Sequence, residues 1–126
     1  MPSIKELSVQ MEDRPGTLGR ICRALAERGV NILAFQSVPF ERKSLVRIIA
    51  DSPTTAKTVL HDQGLPYTEA DVAQLKCSRN KPGELARAAS LLGAAKININ
   101  YAYTGVDPTA NAPLIIFGVA ERVSRF

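Results

Sequence analysis

The sequence predicts an α+β fold in which antiparallel sheets carry helices on one face, and it predicts that this arrangement occurs twice. Three observations support the prediction. In the first half of the chain, segments with apolar residues at every second position alternate with segments of helical period, in the order β-α-β-β-α-β. The second half begins the same order again at a fixed offset. The order itself is that of the split βαβ, or ferredoxin-like, arrangement.

The first strand and the first helix have the strongest periodicity. From Glu6 to Met11 apolar residues alternate with polar ones, which predicts a half-buried strand. A helix follows, with an apolar stripe at the spacing i, i+3, i+4, i+7, i+8. The members of this stripe are Leu18, Ile21, Cys22, Leu25 and Ala26. Gly29 is placed to end the helix in the left-handed conformation, which glycine adopts without strain.

Two further strands, a second helix and a fourth strand complete the first half. The predicted ranges are 30–38 for the second strand, 39–44 for a polar turn, 45–50 for the third strand and 67–72 for the fourth. One face of the second strand is predicted to carry Val30, Ile32, Ala34 and Val38. Ser52 and Pro53 indicate the N-cap and the first residue of the second helix, and Gly64 indicates its end.

The second half repeats the first at an offset of 67 positions (82 minus 15), the distance from Pro15 to Pro82. At this offset Pro15, Gly16, Leu18, Arg20, Leu25, Asn31 and Ile32 coincide with Pro82, Gly83, Leu85, Arg87, Leu92, Asn98 and Ile99. A match of loop, helix stripe and strand at one offset indicates an internal repeat. We therefore predict one domain over residues 1–71 and a second over residues 72–126, shortened at its C-terminus.

The second copy departs from the first in its strands and at its end. The apolar residues Leu75 and Cys77 lie one position from where the first copy predicts them, and a one-residue bulge near Ser78 to Asn80 would restore the pattern. The next strand is predicted to present one face made of Ile97, Ile99, Tyr101 and Tyr103. The sequence stops where a second helix is expected, so the last helix and strand are either trimmed or belong to a tail that follows Phe126.

Composition argues against several classes of protein. The net charge of +4 is spread along 126 residues rather than clustered, which argues against a nucleic-acid partner. The two cysteines are far apart and His61 is the sole histidine, so we expect no metal and no cofactor. With neither a signal peptide nor an apolar run of membrane length, we expect a cytoplasmic protein with no membrane partner.

Both copies open their first helix with a proline and a glycine, Pro15-Gly16 and Pro82-Gly83. One interpretation is structural, because proline loses no hydrogen bond in a first helical turn and glycine permits a tight turn. The other is functional, because a helix N-terminus offers unpaired N–H groups to a carboxylate or phosphate, and glycine leaves that backbone accessible. The loops hold no nucleophile beside a base, so the pattern indicates binding and no enzymatic activity.

The segment LSVQMEDRPGTLGRICRALAERGVNILAFQS, residues 7–37, resembles the first half of an ACT domain, a small βαββαβ ligand-sensing module. The matching features are an alternating strand, Asp13, the Pro-Gly-x-Leu helix start, a leucine-rich helix and Asn31-Ile32. The second half resembles the same family more weakly, with Asn80, Pro82 to Leu85 and Asn98-Ile99. The whole chain is similar to stand-alone tandem ACT proteins, which carry no catalytic domain.

The resemblance implies that an amino acid effector binds at the seam between ACT units, at the Pro-Gly loops and the start of the following strand. The implied ligand-binding residues are Asp13, Arg14, Gly16, Thr17, Leu18, Asn31 and Ile32, with Asn80, Lys81, Gly83, Glu84, Leu85, Asn98 and Ile99 in the second copy. Backbone N–H groups from Gly16 to Leu18 would hold the carboxylate, and Asp13 or carbonyls near Asn31 the ammonium. Leu33, Phe35 and Tyr101 are expected to line an apolar pocket.

The sequence features bear on three functions. The first is a non-enzymatic, allosteric amino-acid-binding regulatory module. The second is an interaction module, a regulatory subunit that docks on a metabolic enzyme without a ligand of its own, since the first thirty or so residues are similar to the small regulatory subunit of acetolactate synthase. The third, RNA binding, is disfavoured because the predicted strand 45–50 has no aromatic residue. Exposed sheet edges favour a homodimer of the chain.

Overall fold

The computed structural model describes residues 2–77 and 82–119. Within these ranges the chain forms six strands and three helices. Their bounds are β1 Ser3–Glu12, α1 Thr17–Glu27, β2 Ile32–Phe40, β3 Lys43–Ala50, α2 Pro53–Asp62, β4 Tyr67–Lys76, α3 Glu84–Ala94, β5 Ile99–Asp107 and β6 Ala112–Val119. The chain divides into two compact units: the first unit is residues 5–70, and the second unit is residues 1–4 with 71–126.

In the first unit, β3 lies between β1 and β2 and runs antiparallel to both, with Val46 opposite Val9 on one side and Ser37 on the other. Alternation along β1 sends its apolar residues to the face on which α1 and α2 contribute to the core. The core side chains are Leu7, Val9, Met11, Ile21, Leu25, Val46, Ile48, Val59 and Leu60, with smaller residues between them. Each large aliphatic side chain buried here stabilises the fold by about 1.5–3 kcal/mol.

Glycine ends α1 as the sequence predicts. Gly29 has φ +74, its N–H donates to the Ala26 carbonyl at 2.9 Å, and the Val30 N–H donates to the Leu25 carbonyl at 3.0 Å. These are the two hydrogen bonds of the Schellman motif. Gly64, at φ +70, ends α2 with the same kind of pairing, so both predicted helix ends are confirmed.

The predicted face of β2 is wrong, because the register of β2 against β3 shifts between Ile32 and Ala34. Ile32 lies opposite Ala50 and Phe35 opposite Ile48, so both point to the helix side of the sheet, whereas Ala34 lies on the other side. A bulge inserts one residue and reverses the side-chain alternation beyond it.

The turn after β2 is also shorter than predicted. Two residues, Glu41 and Arg42, connect β2 to β3, both with positive φ. Such values are those of a type I′ hairpin turn, whose twist matches that of the flanking strands. The strands therefore extend into the polar segment 39–44 that the composition assigned to a loop.

In the second unit, β6 lies between β4 and β5 and runs antiparallel to both. Leu75 and Cys77 belong to its core together with Ala88 and Leu92 of α3, which confirms the shifted parity of that strand. The proposed origin of the shift, residues 78–80, lies outside the described residues. The N-terminal segment joins this unit, since the Gln74 N–H donates to the Pro2 carbonyl at 3.0 Å.

The predicted face of β5 is wrong for the same reason as that of β2. The register against β6 shifts between Ile99 and Tyr101. Ile99 packs against the core beneath α3, whereas Tyr101 and Tyr103 lie on the opposite side, with ring centroids 6.3 Å apart.

The described elements of the second unit correspond to elements of the first. Helices α1 and α3 begin and end 67 positions apart (84 minus 17, and 94 minus 27), and so do β2 and β5 with their bulges. Between β3 and β6 the offset is 69 (117 minus 48). Ile48 of β3 pairs with Phe35 of β2, and Phe117 of β6 pairs with Ala102, the residue of β5 that corresponds to Phe35. The difference comes from a turn of four residues in the second unit in place of two.

The three helices of the described residues contain 10 or 11 residues each, and none has the length and apolarity needed for a bilayer crossing.

Candidate functional site

The Pro-Gly loop of the first unit places a left-handed glycine at the N-cap of α1. Gly16 has φ +90 and ψ −18, and its carbonyl accepts the Arg20 N–H at 3.0 Å. Among the described residues no side chain caps this helix. The Thr17 N–H donates to the Arg14 carbonyl in the loop at 3.4 Å. The N–H groups of a first helical turn have no partner within the helix, and they carry the positive end of the macrodipole. The start of α1 is therefore suited to an anionic group.

A Cβ on Gly16 would meet no heavy atom within 4 Å. Glycine is thus required here by the backbone conformation and not by crowding, because a left-handed φ strains residues that carry a Cβ. The same observation shows that the space beside this backbone is open.

The polar side chains of the loop make weak surface contacts. The Ser44 hydroxyl donates to Asp13 Oδ1 at 3.2 Å, and Arg14 Nε lies 2.7 Å from Glu12 Oε2 with both side chains well exposed. Exposed ion pairs contribute about 0–1 kcal/mol. A ligand could therefore displace these contacts at little cost in free energy.

An apolar cavity of about 160 Å³ lies between α1 and the sheet and reaches the first turn of the helix. Two residues each from α1, β2 and β3 line it, namely Leu18, Cys22, Ile32, Phe35, Val46 and Ile48. The bulge in β2 makes this arrangement, since it turns both Ile32 and Phe35 toward the helix side. Phe35 is 55% exposed, so the cavity has a wall at the surface.

Cys22 is the one lining residue with an ionisable group. Burial raises the pKa of its thiol, so the side chain is neutral at pH 7. The cavity therefore has an uncharged lining throughout.

Asn31, at the start of β2, is held by Asp51. The Asn31 N–H donates to Asp51 Oδ1 at 2.9 Å, and the Asp51 N–H donates to the Asn31 carbonyl at 3.0 Å. This reciprocal pair fixes the entry to β2 against the end of β3. The Asn31 carbonyl, an expected contact for a ligand ammonium, is thus already hydrogen-bonded.

The Pro-Gly loop of the second unit has the same backbone and a different charge. Gly83 has φ +93 and ψ −8, close to Gly16. Glu84 stands where the first unit has Thr17, and its Oε2 lies 3.1 Å from Arg87 Nη2, with the Glu84 side chain 13% exposed. The N-terminus of α3 therefore already carries a carboxylate of its own.

Cys77 lies close to Glu84. Burial, and secondarily the Glu84 carboxylate, raises the pKa of the Cys77 thiol. The surroundings of this second loop are thus acidic at its helix start, and they favour an anionic ligand less than those of the first loop do.

The structure brings some of the predicted site residues together around one cavity. Leu18 and Ile32 line one cavity, as does the expected pocket residue Phe35, whereas the bulged residue Leu33 is not among the lining residues. Thr17 is buried as the first residue of α1, and Tyr101 lies in the second unit.

The remaining predicted site residues belong to the second loop and its strand. Leu85 is 55% exposed, Asn98 Nδ2 donates to Asn100 Oδ1 at 3.1 Å, and Ile99 packs against the core of the second unit. Asn80 and Lys81 lie outside the described residues.

Sequence reasoning missed Asp51 and three cavity residues, Cys22, Val46 and Ile48. The apolar pattern assigned the three to the core, and no local signal distinguishes a cavity wall from a packed core. Asp51 directly follows a strand and precedes the N-cap Ser52, a position that could have indicated a pairing role.

Within residues 2–77 and 82–119, no three His, Cys, Asp or Glu side chains come together as a metal site would require.

The chain is similar to the crystal structure of a protein from Bacteroides thetaiotaomicron, with 25% identity and a TM-score of 0.80. That match covers 94% of this chain and 81% of the other. The regulatory subunit of aspartate kinase from Thermus thermophilus, in its ligand-free form, matches with 15% identity and a TM-score of 0.65, covering 90% of this chain and 80% of that one. The corresponding subunit from Thermus flavus matches with 16% identity and a TM-score of 0.59, covering 90% and 81%. The two Thermus likenesses show a shared fold.

No sequence among the curated proteins matches this chain. The described strands and helices fit the α+β ACT fold, with its antiparallel sheet. Residues 5–60, most of the first unit, match the family model of the ACT domain.

Proposed function

We propose that the protein is a non-enzymatic regulatory module that binds an amino acid at the Pro-Gly loop of its first unit. The observation that carries this proposal is the left-handed Gly16 at an uncapped helix start, next to an apolar cavity. A carboxylate on the first-turn N–H groups and a side chain in the cavity would satisfy both features. The match of residues 5–60 to the ACT domain supports a regulatory role.

The loop side chains complete the proposed site. Asp13 lies in the same loop as Gly16, is exposed and accepts a hydrogen bond from the Ser44 hydroxyl, and its carboxylate is suited to the ligand ammonium. Arg14 would offer the carboxylate an exposed positive charge once it leaves Glu12, and Thr17 holds the helix start by its burial. Asn31 and Ile32 fix the edge of the cavity opposite α1.

We further propose that residues 72–126, which make up most of the second unit, are a second copy of the ACT domain and a weaker site. The shared glycine geometry and the offset of 67 positions support the first statement. Glu84 supports the second, because its carboxylate belongs to the first turn of α3 and would repel a ligand carboxylate there. One strong site per chain is the expected stoichiometry.

Calorimetric titration of the full chain with the twenty amino acids tests the proposal. At least one of them is expected to bind, with one equivalent per chain. Absence of heat with all twenty would contradict the proposal.

Substitution of Gly19 locates the site. Gly19 is exposed in the first turn of α1, and a Cβ there would meet no atom within 4 Å. Gly19→Glu adds a carboxylate that suits the helix dipole but repels the ligand carboxylate, so we expect a more stable protein with roughly tenfold weaker binding. The matched control Gly19→Gln, which adds no charge, is expected to retain binding. Equal affinity in the two variants would place the ligand elsewhere.

Exposed apolar side chains favour a second role, docking to another protein. Leu85 and Leu91 of α3 and Val106 of β5 are each more than half exposed. A contiguous exposed apolar patch marks an interaction surface, and these three side chains are the candidates for such a patch. We propose a homodimer first, and a metabolic enzyme as a further partner for which the chain serves as regulatory subunit.

Light scattering at micromolar concentration tests the dimer: twice the chain mass of 13.6 kDa is expected. A monomer mass would contradict it. A pull-down from native lysate in which no amino-acid-metabolising enzyme is retained would contradict the enzyme partner.

A further inference from the structure

The cavity of the first unit is chemically uniform. Of its six described lining residues, five are hydrocarbon side chains and the sixth is the neutral thiol of Cys22. None of these six carries a charge or a strong hydrogen-bonding group. A group that enters the cavity must therefore leave its own polar atoms outside or unpaired.

The size of the cavity limits its occupant. Its volume is about 160 Å³. An engineered apolar cavity of about 150 Å³ in another protein holds a benzene molecule. This cavity therefore accommodates a group of about four to seven carbon atoms, such as a branched alkyl or benzyl group, whereas a single methyl group would leave most of it empty.

The cavity reaches the first turn of α1. Leu18 belongs to the first turn of α1 and lines the cavity, and Cys22 lines it one turn later. On the facing strand, Ile32 lines the cavity directly after Asn31. A ligand held by the first-turn N–H groups thus has its remaining atoms beside the cavity.

We propose that the effector is an α-amino acid with an apolar side chain of leucine or phenylalanine size, and that this side chain fills the cavity. The inference rests on the proposed function and specifies which ligand that site selects. Selectivity follows from the lining, since a polar isostere would bury its hydroxyl or amide without a partner.

Pairs of amino acids with equal shape and different polarity test the inference by calorimetry on the full chain. Leucine is compared with asparagine, and valine with threonine. The expected affinity ratio is roughly 10- to 100-fold in favour of the apolar member, the usual penalty for burying an unpaired polar group. Alanine is expected to bind more weakly than leucine, because it leaves the cavity empty.

Cys22 provides a second readout in the unmodified protein. Leucine at saturation is expected to slow alkylation of Cys22 at least tenfold, while Cys77, which lies in the second unit, serves as the internal control with an unchanged rate. Asparagine at the same concentration is expected to protect Cys22 less.

A variant that fills the cavity tests the contribution of the cavity to binding separately from that of the loop. Cys22→Leu adds volume from the α1 side, so leucine should bind at least tenfold more weakly while alanine binding is retained. Cys22→Ala, which fills nothing, is the matched control and should keep the preference for leucine. If the filling variant does not fold, the alkylation rates of the unmodified protein decide the question.

The outcomes distinguish the two proposals. Tighter binding of asparagine, glutamate or lysine than of leucine, or an unprotected Cys22 at leucine saturation, would overturn this inference and leave the proposed function standing. Failure of every amino acid to bind would contradict the proposed function itself, and with it this inference.

Discussion

At the scale of single residues, the backbone of two glycines explains a feature that the sequence leaves ambiguous. Gly16 and Gly83 both adopt φ near +90 at a helix N-cap. The pattern Pro-Gly fits both a tight turn and an anion site, and the sequence alone does not decide between the two. The structure shows that the left-handed backbone of the turn is by itself sufficient reason for glycine. The proposed ligand site therefore rests on the helix start and the cavity, and the glycine is compatible with it.

Alanine substitutions should separate the conformational role of glycine from its helix propensity. Gly16→Ala is expected to reduce the free energy of unfolding by about 1–2 kcal/mol, because a left-handed residue with a Cβ is strained. Gly19→Ala lies three residues away in a helical conformation, with equally free space, and should raise stability by about 0.5–1 kcal/mol. Urea denaturation followed by circular dichroism measures both, and equal stability of the two variants would contradict the assigned conformation of Gly16.

The ionisation of Asp107, at the end of β5, is expected to make the free energy of unfolding depend on pH. Hydrogen bonds from Thr109, Oγ1 at 2.7 Å and the backbone N–H at 3.1 Å, hold the pKa of the Asp107 carboxyl below its ordinary value of 3.8. A depressed folded-state pKa contributes stability that is present above the ordinary value and is lost as the pH falls through the folded-state pKa.

Thr109→Ala should therefore raise the Asp107 pKa, which carboxyl-carbon NMR can follow. The variant should be less stable than the wild type at pH 7, and this difference should shrink in acid as Asp107 becomes protonated. A difference that stays constant down to pH 2 would show that the hydrogen bonds have no part in it.

At the scale of elements, helices were predictable and the faces of two strands were not. The helix stripe and the glycines at 29 and 64 are local signals, and they located α1 and α2 correctly. The bulges in β2 and β5 have no such signal, because an inserted residue such as Leu33 changes the facing of the strand without changing its composition. The cavity was unpredictable for the same reason, since Ile32 and Phe35 line it together only if the strand is bulged.

The bulge in β5 also brings Tyr101 over Gly118. The two residues are paired across β5 and β6, and a Cβ on Gly118 would overlap the Tyr101 ring, which stacks on Tyr103. Gly118→Ala is expected to destabilise the protein by about 1–3 kcal/mol, as overpacking does.

The same substitution in a Tyr101→Ala background should cost much less, since the ring it displaces is gone. A double-mutant cycle of unfolding free energies measures this coupling. Additive effects of the two changes would show that the ring does not lie over the glycine.

At the scale of the whole molecule, the second copy keeps the backbone of the first and changes its chemistry. Helix bounds, left-handed glycines and bulges recur at one offset, and the sequence repeat anticipated that correspondence. The sequence also contains the main difference between the two loops: Thr17 follows the glycine in the first, and Glu84 follows it in the second. Its meaning became visible only with the structure, which shows the Glu84 carboxylate held close to the start of α3 by Arg87. The sequence therefore located both loops and showed the weaker resemblance of the second, and the structure adds a chemical difference between them.

The central claim is that the first Pro-Gly loop holds the carboxylate of an apolar amino acid. A titration of the ¹⁵N-labelled chain with leucine, followed by amide NMR, tests it most directly. We expect the largest shifts at Thr17, Leu18 and Gly19, with saturation at one equivalent and little change at Glu84 and Leu85. Saturable shifts confined to other parts of the chain, or equal shifts in both loops, would contradict it.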